Sequence, residues 1–329
     1  METNTFEILE ICGDGTFGIV YKAKQKSTET LVAIKRAKEV KYERPVQERI
    51  ANEREILCKL QHENIISIFS LEEPLEITSS LSFSKLLNIK LNVNAIVFPY
   101  CPLTLKSLLK NYALAPHEIK SCIWMILNGV AHIHSNGVIH RDLSPSNILI
   151  SDSGIIKISD FGTAWTDANN NHEPRGKMKF EVGTRYYRAP ELLYSADNYS
   201  NAIDLWSLGC IFAEFFTKPA SSPLFHGEND IEQLSEIFRI LGVPNESTWP
   251  EMIDFPDYGK ITFVKKDCDG LTIKQLPKAK PQDVQFISKF LKYPSMERMM
   301  ASKALLDPLL DADDFSKFCI NIQDLKKRI

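Results

Sequence analysis

Apolar residues follow two different patterns before and after about residue 104. The earlier part has short apolar runs between polar turns: FEILEIC, FGIVYKA, LVAIKRA and NAIVFPY. Runs of this length that are rich in β-branched and aromatic residues predict strands. The stretch VQERIANEREILCKLQ instead spaces its apolar residues as one face of a helix does. We therefore predict a strand-rich unit that contains one helix.

Beyond residue 104 the periodicity becomes helical. Pro116 opens a stretch whose apolar residues recur every three or four positions and which Asn136-Gly137 ends: Ile119, Ile123, Ile126, Val130 and Ile133. This spacing predicts a buried amphipathic helix. The strand-rich and helical parts meet near FPYCPL, which predicts an α+β fold of two lobes with a ligand cleft between them. Residues 72–94 are predicted to form a long loop, and residues 166–179 an exposed, flexible one.

Composition narrows the function classes. The chain has 329 residues, 44% of them hydrophobic, and a formal net charge of −3, so it can bury a large core and lacks the basic surplus typical of nucleic-acid binding. Its seven cysteines form no C-x-x-C pair, a usage that suits free thiols in a reducing compartment. We expect an intracellular protein that binds neither nucleic acid nor membrane.

A glycine-rich stretch lies between two predicted strands: Gly13, Asp14, Gly15, Thr16, Phe17, Gly18, Ile19 and Val20. Its glycines would let backbone N–H groups approach phosphates without hindrance from Cβ atoms. A chance glycine-rich turn and a dinucleotide fingerprint are alternatives. The fingerprint requires a following helix, and FGIVYKA predicts a strand, so we favour a nucleotide-covering hairpin.

A lysine and an acidic residue after this stretch could form part of a site for phosphoryl transfer. Lys35 ends the apolar stretch Val32-Ala33-Ile34, where an ammonium is costly unless it meets an anion. A snorkelling surface lysine is the alternative. The predicted helix offers Glu53 and Glu55 as partners, and a Lys–Glu pair that holds the α- and β-phosphates is what this reaction needs.

The strongest motif is His140-Arg141-Asp142-Leu143-Ser144-Pro145-Ser146-Asn147, followed after thirteen residues by Asp160-Phe161-Gly162. Asp142 can orient an attacking hydroxyl and accept its proton. Asn147 and Asp160 offer oxygen ligands to Mg²⁺. Two unrelated polar loops are a weaker interpretation because both motifs flank apolar strands in the order that kinases show.

Three charged residues in the second part are predicted to be structural. Glu191 of Ala189-Pro190-Glu191 is expected to form a buried ion pair with Arg298. Asp204, in AIDLWSLGC, is expected to bond the backbone of the catalytic loop, residues 140–147. Two surface charges are the alternative for Glu191 and Arg298.

In this order the motifs resemble eukaryotic protein kinases, and among them the cyclin-dependent kinase group, over about residues 5–310. The resemblance implies an antiparallel β lobe (1–98), a hinge (99–103), a mainly helical lobe (104–312) and a tail (313–329). It implies a Ser/Thr protein kinase that uses ATP and Mg²⁺, with Asp142, Lys35 and Asn147 catalytic and with Asn147 and Asp160 holding the metal.

The resemblance also assigns the nucleotide site and several regulatory residues. The helix glutamate is Glu53, the gatekeeper Phe98. Adenine would meet the carbonyl of Pro99 and the backbone of Cys101. The residues implied to contact ATP are Cys12, Gly13, Asp14, Gly15, Thr16, Phe17, Gly18, Val20, Ala33, Lys35, Phe98, Pro99, Cys101 and Leu149. Pro145 and Thr184 are typical of Ser/Thr kinases.

Several departures from the family concern catalysis and its control by the activation segment, residues 160–191. The lysine usually two residues after the catalytic aspartate is Ser144 here. The position of the activating phosphothreonine holds Lys179, and two of the three arginines that would bind its phosphate are Asn52 and Trp165, which leaves Arg141. We therefore predict that phosphorylation of this segment does not control the kinase.

Further departures concern the cyclin interface and the substrate. Ala51 stands where a larger apolar residue docks into a cyclin, and Phe17 where related kinases carry an inhibitory tyrosine. Gly183 removes the backbone strain that normally favours proline after the phosphoacceptor in the substrate. We therefore predict a relaxed requirement for that proline. Together these features resemble the single-subunit kinases that activate cyclin-dependent kinases.

The favoured function is therefore a monomeric Ser/Thr kinase, cytoplasmic, nuclear or both, that acts on a cyclin-dependent kinase in cell-cycle or transcription control and whose helix is poorly suited to bind a cyclin. One alternative is a cyclin-requiring, proline-directed kinase. Another, suggested by Ser144 and by the activation segment that lacks a phosphoacceptor, is a nucleotide-binding pseudokinase or scaffold.

Overall fold

The computed structural model describes residues 5–14, 18–37, 44–69, 76–79, 95–167, 173–218, 222–265, 268–310, 320–321 and 323–324. The first part of the chain forms a five-stranded sheet and one helix, and the rest is mainly helical. The predicted α+β fold class is confirmed.

The sheet of the first part is ordered β4-β1-β2-β3-β5. Its strands are β1 (Thr5–Asp14), β2 (Gly18–Gln25), β3 (Leu31–Ala37), β4 (Glu76–Ser79) and β5 (Ala95–Pro99). Neighbouring strands are antiparallel except that β4 runs parallel to β1. The prediction of one long loop over 72–94 is therefore wrong at β4. The helix α1 (Arg44–Lys59) lies where its periodicity predicted it.

The second part begins with β6 (Leu103–Thr104), α2 (Leu105–Asn111) and α3 (Pro116–Ser135). Four short strands follow: β7 (Val138–Ile139), β8 (Ile148–Ile150), β9 (Ile156–Ile158) and β10 (Trp165–Thr166). The remaining helices are α4 (Pro190–Leu193), α5 (Ala202–Glu214), α6 (Asp230–Leu241), α7 (Pro281–Ser288) and α8 (Ala301–Ala304). Among the described residues, no helix has the length and apolar character needed to cross a membrane.

The predicted buried helix is confirmed as α3. Pro116 is its first residue, where the missing N–H has no intrahelical partner to lose. The Glu118 carboxylate accepts a hydrogen bond from the Ala115 N–H at 2.6 Å and so satisfies a free donor at the helix start. Ile123, Ile126, Val130 and Ile133 of its apolar face are each at most 2% exposed.

The segment that follows α1 joins the two parts of the fold. The Ile66 N–H donates to the Ile158 carbonyl, and the Ile158 N–H donates to the Asn64 carbonyl, both at 2.9 Å. The buried Asn64 side chain also donates to the Ile156 carbonyl at 3.1 Å. These bonds fix the end of α1 to β9, two residues before Asp160, and so set the helix relative to the site.

A buried ion pair anchors the end of the activation segment. Glu191, at the start of α4, receives two hydrogen bonds from Arg298, at 2.6 and 2.7 Å, and both residues are less than 5% exposed. Arg298 also donates to the Ala202 and Lys292 carbonyls. The pairing predicted from the sequence is present, and it is bidentate, the stronger form of this contact.

The segment 166–179 is not exposed throughout. Met178 is 2% exposed, and its N–H donates to the Asp197 carbonyl at 2.9 Å. The prediction of an exposed loop is therefore wrong at this residue, because a buried methionine packs the segment against the helical part.

We expect Arg298→Ala to lower the free energy of unfolding by roughly 3–5 kcal/mol, because it leaves the Glu191 carboxylate buried without its partner. Urea denaturation would measure the change. The matched control is Arg239→Ala, which breaks an exposed pair with Glu236 on α6 and should cost less than about 1 kcal/mol. Equal losses in the two variants would contradict the prediction.

Candidate active site

Three charged side chains meet at the cleft between the two parts. The Lys35 ammonium on β3 lies 2.6 Å from a Glu53 carboxylate oxygen and 2.8 Å from an Asp160 carboxylate oxygen. Glu53 comes from the middle of α1 and is 1% exposed. Glu55, the other acid considered at sequence level, pairs instead with Lys59 at the surface. The structure therefore brings Lys35, Glu53 and Asp160 together.

The two carboxylates decide the protonation of this cluster. Burial by itself would lower the pKa of Lys35, but the attraction of Glu53 and Asp160 is larger in sum and raises that pKa above its ordinary value. Burial would raise the pKa of Asp160, yet Lys35 holds it below its usual range. Lys35 is therefore a cation and Asp160 an anion at neutral pH.

Asp142 lies at the centre of the catalytic loop. One of its carboxylate oxygens accepts hydrogen bonds from both the N–H and the hydroxyl of Thr184, each at 2.8 Å. The other oxygen lies 3.1 Å from the Asn147 amide nitrogen. Burial raises the pKa of Asp142, and the Thr184 bonds oppose that rise. The residue is thus an oriented carboxylate of raised basicity, which suits a group that receives a proton.

The backbone of the catalytic loop is held by Asp204 from α5. Its two carboxylate oxygens accept the N–H groups of His140 and Arg141, each at 2.9 Å, and its side chain also contacts His134 at 2.9 Å. Arg141 adopts φ +68°, a conformation that costs energy outside glycine and persists only where its surroundings impose it. Asp204 acts on this loop as predicted, while His134 was not foreseen.

Asn147 and Asp160 fit a divalent metal by their chemistry. The Asn147 amide nitrogen donates to the Asp142 carbonyl at 2.9 Å, so its side-chain oxygen points elsewhere. Asp160 adopts φ +65° and stays ionised beside Lys35. A carboxylate and an amide oxygen are ligands that Mg²⁺ accepts. These two residues would hold the metal that neutralises phosphate charge.

The residues predicted to contact adenine lie on β2, β3, β5 and β8 and just after β5. In the strand register Val20 pairs with Lys35, Ala33 with Phe98, and Val32 with Pro99. Leu149 of β8 is half-buried. The Cys101 thiol lies 3.9 Å from the Pro99 carbonyl, and burial raises its pKa to about 11. The Cys101 thiol is therefore uncharged at neutral pH, which is compatible with the uncharged adenine ring predicted to lie beside it.

Only the base of the predicted nucleotide-covering hairpin is described. Cys12, Gly13 and Asp14 end β1, and Gly18 begins β2; Gly15, Thr16 and Phe17 lie outside the described residues. A Cβ atom at Gly18 would lie 2.6 Å from the Arg36 carbonyl. The hairpin therefore needs glycine there because β3 passes so close to it.

Ser144 cannot replace the missing lysine from where it lies. It is 2% exposed, and its carbonyl accepts the Asn147 N–H at 3.0 Å. The residue serves the turn of the catalytic loop and presents no charge to the cleft.

Asn52 and Trp165, which replace two phosphate-binding arginines, bond the activation segment itself. Asn52 donates to the Ala164 carbonyl at 2.8 Å, and the Trp165 indole donates to the Glu173 carbonyl at 2.8 Å. Arg141 contacts the Glu173 carboxylate at 2.6 Å. The sequence reasoning missed Glu173 because it lies in a polar stretch; a search for an acid to match Arg141 could have found it.

Gly183 keeps the unusual backbone conformation. Its φ is +77°, and its carbonyl accepts a hydrogen bond from the Arg188 side chain at 2.8 Å. Glycine adopts this conformation without the strain that other residues would carry there. The relaxed requirement for proline after the phosphoacceptor stays a prediction.

The activation segment rests on a buried acid. The Tyr187 hydroxyl donates to Glu214 of α5, which is 1% exposed. Burial raises the pKa of Glu214 to about 7, although the tyrosine bond lowers it somewhat. This carboxyl therefore keeps its proton in the folded state over a range in which the unfolded chain releases it.

Comparison with known proteins gives consistent matches over almost the whole chain. A family model described as "Protein kinase domain" matches residues 6–310. Cyclin-dependent kinase 20 of Danio rerio is 38% identical over 313 residues, which cover 94% of this chain and 84% of that protein. The Homo sapiens protein of the same name is 38% identical over 301 residues, 91% of this chain and 81% of its own. Cyclin-dependent kinase 11B of Mus musculus is 36% identical over 302 residues, 91% of this chain and 36% of the relative.

We expect Lys35→Met to reduce phosphoryl transfer from ATP roughly 100-fold or more, because the variant loses the cation assigned to the phosphates and leaves Glu53 buried without its ion-pair partner. Initial rates with a protein acceptor would measure this. The control is Lys24→Met on β2, which removes an exposed pair with Glu29 and should leave the rate within about two-fold. A Lys35→Met enzyme as active as the control would contradict the assignment.

The Glu214 carboxyl generates a pH-dependent prediction. Because its pKa is higher in the folded state, its contribution lowers stability as pH rises from about 4.5 to about 7, by on the order of 1–3 kcal/mol. Glu214→Gln removes this component. The stability of Glu214→Gln relative to the unchanged protein, measured as the difference in free energy of unfolding, should therefore be greater at about pH 8 than at about pH 5. A difference that does not change with pH would contradict the shifted pKa.

Proposed function

The chain belongs to the protein kinase family, and we propose that it works as a single subunit, without a phosphate on its activation segment, on another cyclin-dependent kinase. The family and the relatives confirm an ATP-dependent Ser/Thr protein kinase of the cyclin-dependent kinase type, acting on protein substrates with ATP and a divalent metal. We propose that the metal is Mg²⁺. We also propose that the protein acts in the cytoplasm or the nucleus, in the control of the cell cycle or of transcription.

The chemistry assigned to this chain is the transfer of the γ-phosphoryl group to a hydroxyl. Asp142 would accept a hydrogen bond from the attacking hydroxyl and receive its proton as the new P–O bond forms and the bond from the γ-phosphorus to the bridging oxygen of ADP breaks. Lys35 would contact the α- and β-phosphates, held in place by Glu53. Asn147 and Asp160 would bind the metal, which supplies neutralisation of the phosphate charge when bound. Positioning and charge stabilisation account for most catalysis of this kind.

The observation that carries the single-subunit proposal is the ion pair between Lys35 and Glu53 at 2.6 Å. In kinases this pair and the metal-binding aspartate must both be in place for transfer. Both are placed in the chain by itself, where Asn52 ties α1 to the Ala164 carbonyl. The chain's own contacts therefore do what a partner subunit would otherwise have to do.

The surface of α1 supports the same proposal. Ala51, at the position where a larger apolar residue would enter a cyclin, is exposed and offers only a methyl group. A small anchor gives little binding energy, because the residues that dominate interfaces are large side chains in desolvated pockets.

One observation favours the second candidate, a proline-directed kinase that needs a cyclin. The Gly183 carbonyl already accepts a hydrogen bond from the Arg188 side chain, which competes with the N–H of the residue that follows the phosphoacceptor. Proline has no N–H and would lose nothing there. The names of the relatives also refer to cyclins.

The third candidate, a pseudokinase or scaffold, rests on Ser144 and on an activation segment without a residue to phosphorylate at position 179. Asp142, the carboxylate proposed to receive the proton, is oriented by Thr184, and Asp160, the carboxylate proposed to bind the metal, lies beside Lys35. Loss of one contact to the transferring group lowers the rate without changing the reaction.

We expect the purified chain alone to transfer label from radiolabelled ATP to a catalytically inactive cyclin-dependent kinase, and Asp142→Asn to lose this transfer. The variant removes the group that orients and deprotonates the hydroxyl, so its rate should fall by roughly 10²–10⁴. Nucleotide titration of the variant would show that the cleft still binds ATP.

The acceptors separate the candidates. Label on the activation segment of the inactive kinase supports the first proposal. Label only on peptides with proline after the phosphoacceptor, and only after a cyclin is added, would support the second. ATP binding without label on any acceptor would support the scaffold.

A further inference from the structure

We infer that Glu173 is a positioning residue: its carboxylate holds the activation segment in the place where related kinases use a phosphate. This inference rests on the proposed function, because it supplies the device that lets the segment dispense with phosphorylation. Glu173 belongs to none of the motifs that identify the family, and it does not touch the reacting groups.

The carboxylate of Glu173 connects two parts of the chain. One of its oxygens lies 2.6 Å from the Arg141 guanidinium, and the other lies 3.1 Å from the Lys179 ammonium. The backbone N–H of Lys179 is 3.3 Å from it as well. The Glu173 side chain is 15% exposed. An acid therefore faces the residue at the phosphothreonine position and neutralises the cation that would receive the phosphate.

Arg141 transmits this contact to the catalytic loop. It is the residue before Asp142, is 8% exposed, and donates to the Thr163 carbonyl at 2.6 Å. It also contacts the Tyr199 hydroxyl at 3.1 Å, and that hydroxyl donates to the Lys179 carbonyl at 2.5 Å. The guanidinium thus joins the catalytic loop to the start of the activation segment at Thr163 and, through Tyr199, to its middle at Lys179, provided that an anion compensates its charge.

The position of Glu173 is fixed by its own backbone. The indole of Trp165 donates to the Glu173 carbonyl at 2.8 Å, and the Arg175 guanidinium lies over the Trp165 ring, 4.8 Å from its centre. These contacts do not depend on the carboxylate. A variant that changes only the charge of residue 173 therefore acts first on the contacts with Arg141 and Lys179, and any loosening of the segment is attributable to their loss.

Charge balance supports the same conclusion. Burial would raise the pKa of Glu173, but Arg141 and Lys179 outweigh burial and lower it, so the side chain is an anion at neutral pH. Among the residues that the structure describes, Glu173 is the carboxylate in contact with Arg141. Its removal would leave a largely buried guanidinium without an anion, a costly state that rearrangement of the segment would relieve.

The experiment compares the full chain with Glu173→Gln, a variant of the same shape without the charge. Lys179→Met is the matched control, because it removes the exposed ion pair to the same carboxylate but keeps the contact with Arg141. For each protein, kcat and the KM for ATP would be measured separately. Cleavage by trypsin after Arg175 and Lys177 would report on the order of the segment, and a nucleotide titration on the integrity of the cleft.

We expect Glu173→Gln to lower kcat by about ten-fold or more with nearly unchanged nucleotide binding, and to be cleaved several-fold faster. Lys179→Met should resemble the unchanged protein in both respects. Phosphatase treatment should leave kcat of the unchanged protein as it was. Equal kcat and equal cleavage rates in Glu173→Gln and the unchanged protein would overturn the inference.

The cleavage assay separates this inference from the proposed function. If the unchanged chain transfers no phosphate, the single-subunit proposal fails, and faster cleavage of Glu173→Gln still supports the role of the carboxylate. If the unchanged chain is active and its phosphatase-treated form is not, a phosphate orders the segment and the role assigned to Glu173 is wrong. A Glu173→Gln protein that binds no nucleotide and is cleaved throughout both lobes would also overturn it, because the residue would then support the fold.

Discussion

A lysine held inside the cleft by two carboxylates is the constraint on which the rest of the structure depends. Lys35 lies in a strand between two neighbours, so its ammonium leaves water and must find anions. Glu53 supplies one only if α1 lies against the sheet, and Asp160 supplies the other only if the chain after β9 turns inward. The bonds from Asn64 and Ile66 to β9 meet both conditions at once. The requirement to neutralise Lys35 therefore links the positions of α1, the sheet and Asp160 to one another.

The same rule recurs at other buried charges. Arg298 is matched by Glu191, Arg141 by Glu173, and the Asp204 carboxylate by backbone N–H groups and His134. Each pair ties segments that are distant along the chain. Such pairs add little net stability compared with apolar substitutes, but breaking one leaves an uncompensated charge, so they strongly select one arrangement.

The sequence predicted most of this fold because its signals were local. The period of α3, the proline at its start, and the ordered motifs around Asp142 and Asp160 all lie in contiguous stretches. The misses involve distant partners. β4 is short and pairs with β1 more than sixty residues away. Glu173 meets Arg141 only in the folded chain. The hydrogen bond from the Arg188 side chain to the Gly183 carbonyl was also not predicted, because no sequence motif indicates it.

The replacements in the activation segment become intelligible when their charges are counted together. A phosphothreonine carries about −1.5 to −2 charges and can neutralise several arginines, whereas a carboxylate carries one. Three arginines around Glu173 would leave a surplus of positive charge that a single carboxylate could not offset. Asn52 and Trp165 remove two of those cations and replace their phosphate contacts with hydrogen bonds to the Ala164 and Glu173 carbonyls. Lys179 then adds its charge at the surface, where solvent screens it. Under the proposed function, the absence of a phosphoacceptor and the absence of the two arginines are therefore linked, because each would be unfavourable without the other.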